Sequence, residues 1–234
     1  MAEGFGIEYL PLLGKGAVLT LALCLTSGVL GTVLGLLLGL AETSPSRVLR
    51  WASTIYINVV RGIPLLVIIF FIYFGTPLLF PDVDLPAFVT GVIALTVFAS
   101  AYIAEIFRGS IDAVPKGQSE AAEALGLNYY LKFRYVIIPQ AMKVAIPPGI
   151  GFLIGLVKES SLVTVIGLIE LTSAGGIVSN LTVDPITTYL VVAAMYFVVC
   201  YGISLLGQRY EKAIGVHSDP LKVPRLLKLE IGKN

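Results

Sequence analysis

Residues 16–41 read GAVLTLALCLTSGVLGTVLGLLLGLA, a run of 26 residues without a charged side chain. A helix that crosses the hydrocarbon core of a bilayer needs roughly 20 consecutive apolar residues, so this run is long enough to cross. The whole chain of 234 residues is 56% hydrophobic and only 13% charged, whereas soluble domains are about 25% charged. The composition therefore predicts an integral membrane protein.

Four further apolar runs follow the first. They lie between Arg61 and Asp82, between Asp84 and Glu105, from Val144 to Ile169, and between Asp184 and Arg209. Pro81 and Pro86 bracket the turn between the second and third runs, and Asp184 with Pro185 is a start signal for the last helix. We expect an all-α integral membrane fold with five transmembrane helices in each subunit.

Positive charges gather on one side of these five predicted helices. Thirteen of the 16 Lys and Arg residues fall in residues 41–54, in residues 105–143 and in the tail from residue 209 onward. The positive-inside rule places these segments in the cytoplasm. This predicts an inner (plasma) membrane protein with its N-terminus outside and its C-terminus in the cytoplasm. We expect a transmembrane domain over residues 1–215 and a cytoplasmic tail over residues 216–234.

The composition also argues against several functions. A net charge of +1 points to no nucleic-acid partner. The single histidine, His217, and two distant cysteines, Cys24 and Cys200, are too few for a zinc or copper site. The cysteines are interpreted as reduced packing residues. No G-x-x-x-x-G-K-[ST] phosphate loop occurs in the sequence, so the chain is not expected to be an enzyme that hydrolyses ATP.

The most informative connection is the one between the third and fourth runs, residues 101–140, which read AYIAEIFRGSIDAVPKGQSEAAEALGLNYYLKFRYVIIPQ. Residues 119–125 are helix formers that follow a break at Gly117. Gly126 can end this helix in a left-handed conformation. The connection is therefore predicted to hold a short cytoplasmic helix that ends at a glycine corner.

A second short helix is predicted after that corner. Asn128 can cap a helix over residues 129–135, and Pro139 lies near the start of the fourth span. Together the two short helices form a structure that lies on the cytoplasmic surface. Their apolar side chains are available to dock into another protein.

This connection resembles the EAA motif of ABC importer permeases. Glu120-Ala121-Ala122 is followed after three residues by Gly126, and after nine more by residues 136–139, VIIP. The family pattern ends in I-x-L-P, so Val136 and Ile138 are a mild departure that keeps the apolar character. The flanking blocks resemble the polar amino acid branch of these permeases. They are residues 61–66 (RGIPLL), 101–109 (AYIAEIFRG), 117–118 (GQ) and 158–162 (KESSL).

The resemblance covers about residues 15–215 and implies a set of partners. Residues 109–135 would form the coupling helices, which dock into a groove of the ATP-binding subunit. The resemblance assigns this coupling to Gly117, Glu120, Ala121, Ala122, Gly126 and Pro139. It implies two ATP-binding subunits that hold ATP and Mg, a second permease subunit (the same chain or a paralogue), an extracytoplasmic solute-binding protein and an amino acid substrate, with no cofactor in this chain.

Lys158 and Glu159 are the charges inside an apolar run. A charge at mid-bilayer costs roughly 2.5–3.5 kcal/mol on insertion scales, and neighbours in sequence do not face each other on a helix. Two interpretations remain. With Ser160 and Ser161 they face the translocation path and meet the charged ends of an amino acid, or they pair with other helices, for example through Arg61.

Several other polar or small residues lie in or near the predicted spans. Asn58, Thr96 and Ser100 suit either substrate contact or hydrogen bonds between helices. Glu105, Arg108 and Asp112 share one helical face at spacings of three and seven, which favours structural pairing. The four glycines at positions 28, 31, 35 and 39 allow close helix contact, either inside the subunit or at a subunit interface.

The main alternative function is a secondary transporter or channel for small polar solutes. Such proteins usually show internal repeats, and none is visible here. A membrane enzyme would need a convergent catalytic set. A structural scaffold would not explain the ordered motifs. The sequence therefore favours the transmembrane subunit of an ATP-driven amino acid importer.

Overall fold

The computed structural model describes residues 5–214, and within that range it is helical without a β-strand. This agrees with the predicted all-α class. The helices are α1 (Leu10–Glu42), α2 (Arg47–Gly62), α3 (Leu65–Leu79), α4 (Ala87–Asp112), α5 (Lys116–Ala124), α6 (Tyr129–Lys132), α7 (Ile138–Glu159), α8 (Leu171–Thr182) and α9 (Pro185–Ala213). The predicted tail over residues 216–234, with His217, lies outside the described residues.

The most extensive contact between helices in the described part of the chain joins α1 and α4. Gly31 faces Ala99, Gly39 faces Ala104, and Gly35 lies between them on the same side of α1. A Cβ atom on any of the three glycines would approach α4 to between 2.5 and 2.9 Å, closer than packed atoms tolerate. The two backbones therefore touch because these residues have no side chain. This part of the glycine stripe packs inside the subunit.

The order of the contacts fixes the helix directions. Gly31 and Gly39 meet Ala99 and Ala104 in increasing order, so α1 and α4 run parallel. Phe107 clusters with Ala141, whereas the earlier Phe98 meets the later Phe152, so α7 runs against α4.

The last helix can be oriented in the same way. Gly207, near the end of α9, packs against Ile150 of α7, while Val192 packs against Gly175 of α8. In turn, α8 lies beside the beginning of α1 at Gly16. Helices α1, α4 and α9 therefore finish at one end of the molecule, where α7 begins. We call this the charged end, and the opposite one the α8 end.

The second predicted crossing is a short helix that follows a bend. Helix α3 lies within the apolar run between Arg61 and Asp82, and α2, which precedes this run, meets α3 at 103°. Ile63 has extended backbone angles, as expected before Pro64, because the proline ring disfavours helical angles in the preceding residue. Four other helical segments in the described range are long and apolar enough to cross a bilayer, and the bent pair makes a fifth if it counts as one crossing.

The connection between α4 and α7 differs from the prediction at two points. Gly117 lies inside α5 and does not break it. The chain after Asn128 does not form a separate short helix over residues 129–135, because α6 continues through a π-helical turn at Phe133–Ile137 into α7. The Ile138 N–H donates to the Phe133 carbonyl, five residues back, so the helix widens before Pro139 and does not end there.

Beyond the far end of α7 lies α8, a helix that the sequence did not predict. A 3₁₀ segment, Ser160–Ile166, follows α7 and ends at Gly167, which has a left-handed φ of 83°. The 12-residue α8 then packs against α1 and α9. Residues 170–185 lie between the fourth and fifth apolar runs of the sequence. In the structure they supply buried side chains at the α8 end, among them Leu171, Ala174 and Val178.

Candidate functional site

Five charged residues form an ionic cluster at the charged end. They are Glu42, Arg61, Glu105, Arg108 and Asp112. Glu105 forms ion pairs with Arg61 at 3.1 Å and with Arg108 at 2.5 Å. Arg108 also lies 2.8 Å from Asp112 and 3.7 Å from Glu42. The cluster therefore ties together the end of α1, the bend between α2 and α3, and the last turns of α4.

Arg61 belongs to this cluster and not to the end of α7. Besides Glu105, its guanidinium lies 5.6 Å from the centre of the Tyr102 ring, within the range of a cation–π contact. The sequence had suggested Arg61 as a structural partner for Lys158 or Glu159. In the structure its ion pair is with Glu105, and Glu105, Arg108 and Asp112 lie along one face of α4.

The α5 corner, defined as α5 with Gly126 and α6, lies beyond the charged end. Gly126 has a φ of 75°. The Leu127 N–H donates to the Ala122 carbonyl, and the Gly126 N–H donates to the Glu123 carbonyl. These two bonds form a Schellman motif, which satisfies the last carbonyls of α5 and needs a left-handed residue at the glycine position.

The α5 corner is attached to the transmembrane helices by few polar contacts. The Tyr129 hydroxyl donates to the Thr43 carbonyl at 2.6 Å, and the Gln140 amide donates to Gln118 at 3.3 Å. Within the corner, a hydrogen bond from the Lys132 ammonium lowers the pKa of the Glu123 carboxyl below its ordinary value. The corner is thus held by its own bonds and rests on the ends of α1 and α7.

The outer surface of the corner is exposed. Of the residues predicted to couple to a partner, Ala122 is buried, whereas the others face solvent: Gly117, Glu120, Ala121, Gly126 and Pro139. Leu125 is 80% exposed and Tyr130 is 66% exposed. Large apolar side chains at this level of exposure, next to a short helix, form a surface suited to contact with another protein.

Lys158 and Glu159 lie in the half of the molecule away from the charged end. Sγ of Cys24 in α1 lies 3.9 Å from the carbonyl oxygen of Leu156, so the end of α7 lies beside Cys24. Cys24 is nine residues past Lys15, about 13 Å along the axis of α1 from the α8 end. Both charged side chains are exposed on the isolated chain. Within residues 5–214 neither side chain forms an ion pair or a hydrogen bond.

The four residues from Lys158 to Ser161 do not share one face. Ser160 is fully buried, and its hydroxyl donates to the Val157 carbonyl. Ser161 is half-buried and donates to the Lys158 carbonyl. Both hydroxyls are therefore committed to their own helix, and the two charges are the groups that reach the surface.

The three other predicted polar residues are dispersed. Ser100 is fully buried on α4 and lies 2.8 Å from the Tyr56 hydroxyl of α2. The Thr96 hydroxyl is buried and has no hydrogen-bond partner in the described part of the chain. Asn58 is exposed on α2. Ser100 thus takes part in a bond between helices.

Sequence reasoning missed a buried carboxylate at the α8 end. Glu170 is fully buried and caps α8 by accepting the N–H groups of Thr172 and Ser173 at 2.9 and 2.8 Å. The Tyr196 hydroxyl donates to it at 2.9 Å, and the Thr20 hydroxyl at 3.4 Å. A glutamate between Ile169 and Leu171 was the available signal, but glutamate is not among the preferred N-cap residues.

Comparison with known proteins gives consistent matches. The chain matches the family of inner membrane components of binding-protein-dependent transport systems over residues 31–216. It is 39% identical over 194 residues to YckA of Bacillus subtilis (strain 168), a probable amino-acid ABC transporter permease, over 83% of this chain and 85% of that protein. It is 36% identical over 210 residues to TcyB of the same organism, an L-cystine transport system permease, over 88% of each.

A solved structure shares the fold. It is described as the crystal structure of an amino acid ABC transporter with histidines. The similarity covers 88% of this chain and 96% of that chain, with 38% identity and a TM-score of 0.83.

Proposed function

The chain belongs to the family of inner membrane components of binding-protein-dependent transport systems, and we propose that it imports polar amino acids as the transmembrane subunit of an ATP-driven complex. A chain of this family is a transport subunit and not an ATPase. The relatives support amino acids as the substrate class: one is a permease for L-cystine, and the solved neighbour is an amino acid transporter described with histidines. Since these two side chains differ, the shared chemistry is the amino acid itself.

The observation that carries this proposal is the α5 corner. It holds the Glu120-Ala121-Ala122 motif on a short helix closed by Gly126, and it exposes Leu125 at the charged end. We propose that this surface docks into the ATP-binding subunit. Its contacts with Thr43 and Gln140 would pass a displacement of the corner to α1 and α7.

The solute path is proposed to run past the end of α7. Lys158 and Glu159 have opposite charges, lie at membrane depth and lack partners within the described residues. A desolvated charge in this position needs a partner. A zwitterionic amino acid supplies both a carboxylate and an ammonium group, and so would suit this pair as it passes. Arg61 and Ser100 are less favoured as path residues, because each has a partner inside the subunit. Asn58 and Thr96 stay proposed path residues, since no hydrogen bond within the described residues occupies the Thr96 hydroxyl and Asn58 is exposed.

The complete transporter is proposed to contain two permease subunits. Five crossings per subunit, counting α2 with α3 as one, are too few to enclose a path comfortably. Two ATP-binding subunits, carrying ATP and Mg, would sit on the α5 corners. A solute-binding protein would deliver the amino acid at the α8 end. In this arrangement the charged end faces the cytoplasm, as the positive-inside rule requires.

Reconstitution tests the proposal. The chain is placed in proteoliposomes with its ATPase subunit and binding protein, and uptake of a panel of labelled amino acids is measured with and without ATP. We expect uptake of at least one polar amino acid that depends on both ATP and the ATPase subunit. Uptake that persists without the ATPase subunit, driven by an ion gradient, would identify a secondary transporter or channel instead.

A single methyl group tests the role of the corner. Gly126→Ala puts a side chain on a residue with a φ of 75°, and left-handed angles cost a residue with a Cβ roughly 1–2 kcal/mol. We expect ATP-dependent uptake to fall by about tenfold or more, while the subunit still inserts. Gly202→Ala on α9 is the matched control, because its added Cβ would meet no atom within 4 Å. Equal uptake by the two variants would contradict a coupling role for the corner.

A further inference from the structure

Three aromatic rings form a layer on the surface that α4 and α7 share. They belong to Phe98 and Tyr102 of α4 and to Phe152 of α7. The Tyr102 and Phe152 rings are stacked with their centroids 5.5 Å apart, and the Phe98 ring lies 4.6 Å from Tyr102 and 6.2 Å from Phe152. All three side chains are half-buried, and Phe98 and Phe152 pack on the core beneath them. We call these three rings the aromatic layer.

Acidic side chains lie on both sides of the aromatic layer. Glu105 is seven residues after Phe98 on α4, and Glu159 is seven residues after Phe152 on α7. Seven residues are nearly two full turns, so each glutamate shares the helix face of its phenylalanine, about 10 Å away along the axis. Because α7 runs against α4, Glu105 lies toward the charged end and Glu159 toward the α8 end. The aromatic layer therefore separates two charged levels on one side of the subunit.

The charges indicate that this side of the subunit does not border lipid chains. Ionised groups inside a bilayer face a water-filled cavity or another protein group. Lys158 and Glu159 are exposed, and the paired side chains of Arg61 and Glu105 keep 37% and 28% of their surface exposed. Between the layer and Glu159 lies Gly155, where an added Cβ would meet no atom within 4 Å. Water can therefore reach both charged levels, whereas the layer between them offers it a single hydroxyl, that of Tyr102.

An apolar constriction between two wet levels is a barrier to ions. Water in such a constriction loses hydrogen-bond partners, and an ion cannot pass without its hydration shell. We propose that the aromatic layer closes the solute path to ions while no ATP is bound, by meeting the matching surface of the second permease subunit. This inference rests on the proposed solute path along the end of α7, and it assigns to that path the residues that seal it.

The aromatic layer is linked to the surface that is proposed to dock the ATP-binding subunit. The Arg61 guanidinium lies over the Tyr102 ring and belongs to the ionic cluster. The cluster includes Glu42, the residue before Thr43, whose carbonyl accepts a hydrogen bond from Tyr129 of the α5 corner. A displacement of the corner can therefore reach the layer through a continuous series of contacts.

Passive leak tests the barrier. The chain is reconstituted with its ATPase subunit in vesicles loaded with potassium, and potassium release is followed without ATP and without binding protein. Phe152→Asn places an amide in the layer, whereas Phe152→Leu places an apolar side chain with as many non-hydrogen atoms. We expect Phe152→Asn to release potassium about tenfold faster than the wild type or more, because the amide binds water, and Phe152→Leu to stay near the wild type. Phe98→Asn and Phe98→Leu repeat the comparison on α4, so that the test does not depend on the folding of one variant.

Phe197→Asn is the matched control. Phe197 of α9 is exposed and stacked on Tyr201, with ring centroids 5.5 Å apart. Helix α9 packs through Gly207 against Ile150, which lies two residues, or about 200°, from Phe152 around α7. The control therefore changes a stacked ring on the opposite side of α7, and we expect no added leak.

Three results would overturn the proposal. The first is potassium release at the wild-type rate by both asparagine variants, in complexes that assemble and hydrolyse ATP. The second is equal leak from the asparagine and leucine variants, because an apolar seal must distinguish the two. The third is a leak from Phe197→Asn as large as that from Phe152→Asn, which would place the path along α9.

The leak and the ATP-driven uptake are separate readouts. Uptake by the wild type together with tight asparagine variants would leave the proposed function standing and reject the barrier alone. A weaker apparent affinity for the amino acid in those variants, without leak, would also reject it, since the rings would then contact the solute. Leaky asparagine variants of a wild type that takes up no amino acid would support the barrier and reject the proposed function.

Discussion

At the residue scale, Glu170 shows how a charge is accommodated inside the bundle. Its carboxylate is fully buried, yet it accepts hydrogen bonds from two backbone N–H groups and from the hydroxyls of Tyr196 and Thr20. A buried carboxylate is tolerated when its lone pairs are filled in this way. Since these bonds come from α1, α8 and α9, one side chain joins three helices at the α8 end.

Glu170→Gln should therefore lower thermal stability. The amide keeps one acceptor oxygen but places an NH₂ group where the carboxylate met other donors, and an unpaired buried donor costs about 1–3 kcal/mol. Asp184→Asn is the matched control: Asp184 caps α9 through Thr187, is less buried, and asparagine is an equally good cap. Thermal unfolding of the purified protein in detergent should show a clear fall for Glu170→Gln and little change for Asp184→Asn. Equal shifts would mean that the buried network adds nothing beyond capping.

At the element scale, the contact between α1 and α4 depends on missing side chains. Gly35 lies where a Cβ atom would be 2.7 Å from the Ser100 carbonyl oxygen and 2.8 Å from the Ile103 Cβ atom. A backbone oxygen and a β-branched side chain on a packed helix cannot move aside without moving the helix. The glycine stripe is therefore a requirement of packing within the subunit.

Gly35→Ala should push the two helices apart. Overpacking of a close contact typically costs about 1–3 kcal/mol, and we expect a fall in melting temperature for the detergent-solubilised protein. Gly14→Ala changes the same helix at a position where an added Cβ would meet no atom within 4 Å. If both variants melt like the wild type, α1 and α4 do not touch through this stripe in the membrane.

Charge-free runs predicted some elements better than others. Helices α1, α4 and α9 were predicted because a long apolar run has one interpretation in a membrane protein. Helix α2 was not predicted, because Arg47, Arg50 and Arg61 make its sequence look like a loop when charges are simply counted. Its buried face, formed by Ser53, Ile57 and Val60, becomes visible only when residues are placed at helical angles. Helix α8 is too short to cross a bilayer and contains Gly175 and Gly176, so it resembled a connection.

The candidate sites divide in the same way. Gly126 was correctly predicted to be left-handed, because a glycine that ends a short helix is a local signal. The pairing of Arg61 with Glu105 could not be predicted, because it depends on the bend at Pro64, which brings α2 across α4. Contacts between distant segments depend on tertiary geometry that no local pattern records.

At the scale of the whole molecule, Lys158 and Glu159 support the proposal of a second permease subunit. Both side chains are exposed, and neither forms an ion pair or a hydrogen bond among the described residues. A charge inside a bilayer needs a partner or a water-filled cavity. A second permease subunit that faces this surface would enclose such a cavity and leave the charges for the solute.

Lys158→Met and Glu159→Gln should separate transport from stability. Because the side chains are exposed and form no ion pair or hydrogen bond among the described residues, each change should leave the melting temperature of the complex within about 1–2 °C, in keeping with a surface substitution. ATP-dependent uptake should fall by about tenfold or more, since a charge partner for the solute is lost. A variant that melts much lower than the wild type, with uptake reduced only in proportion to folded protein, would assign the pair a structural role.

The bent pair also determines where the protein is sensitive to its lipid surroundings. Helix α3 has 15 residues, about 22 Å at the helical rise, whereas the hydrocarbon layer is about 30 Å thick. The residues after Leu79, beginning with the exposed and apolar Phe80, would have to continue the crossing in extended form, at about 3.3 Å per residue. With 33 residues, α1 has length to spare and can adjust by tilting. A thicker bilayer would therefore strain α3 before α1. The start of α3, at Leu65, is joined to α2 and the ionic cluster.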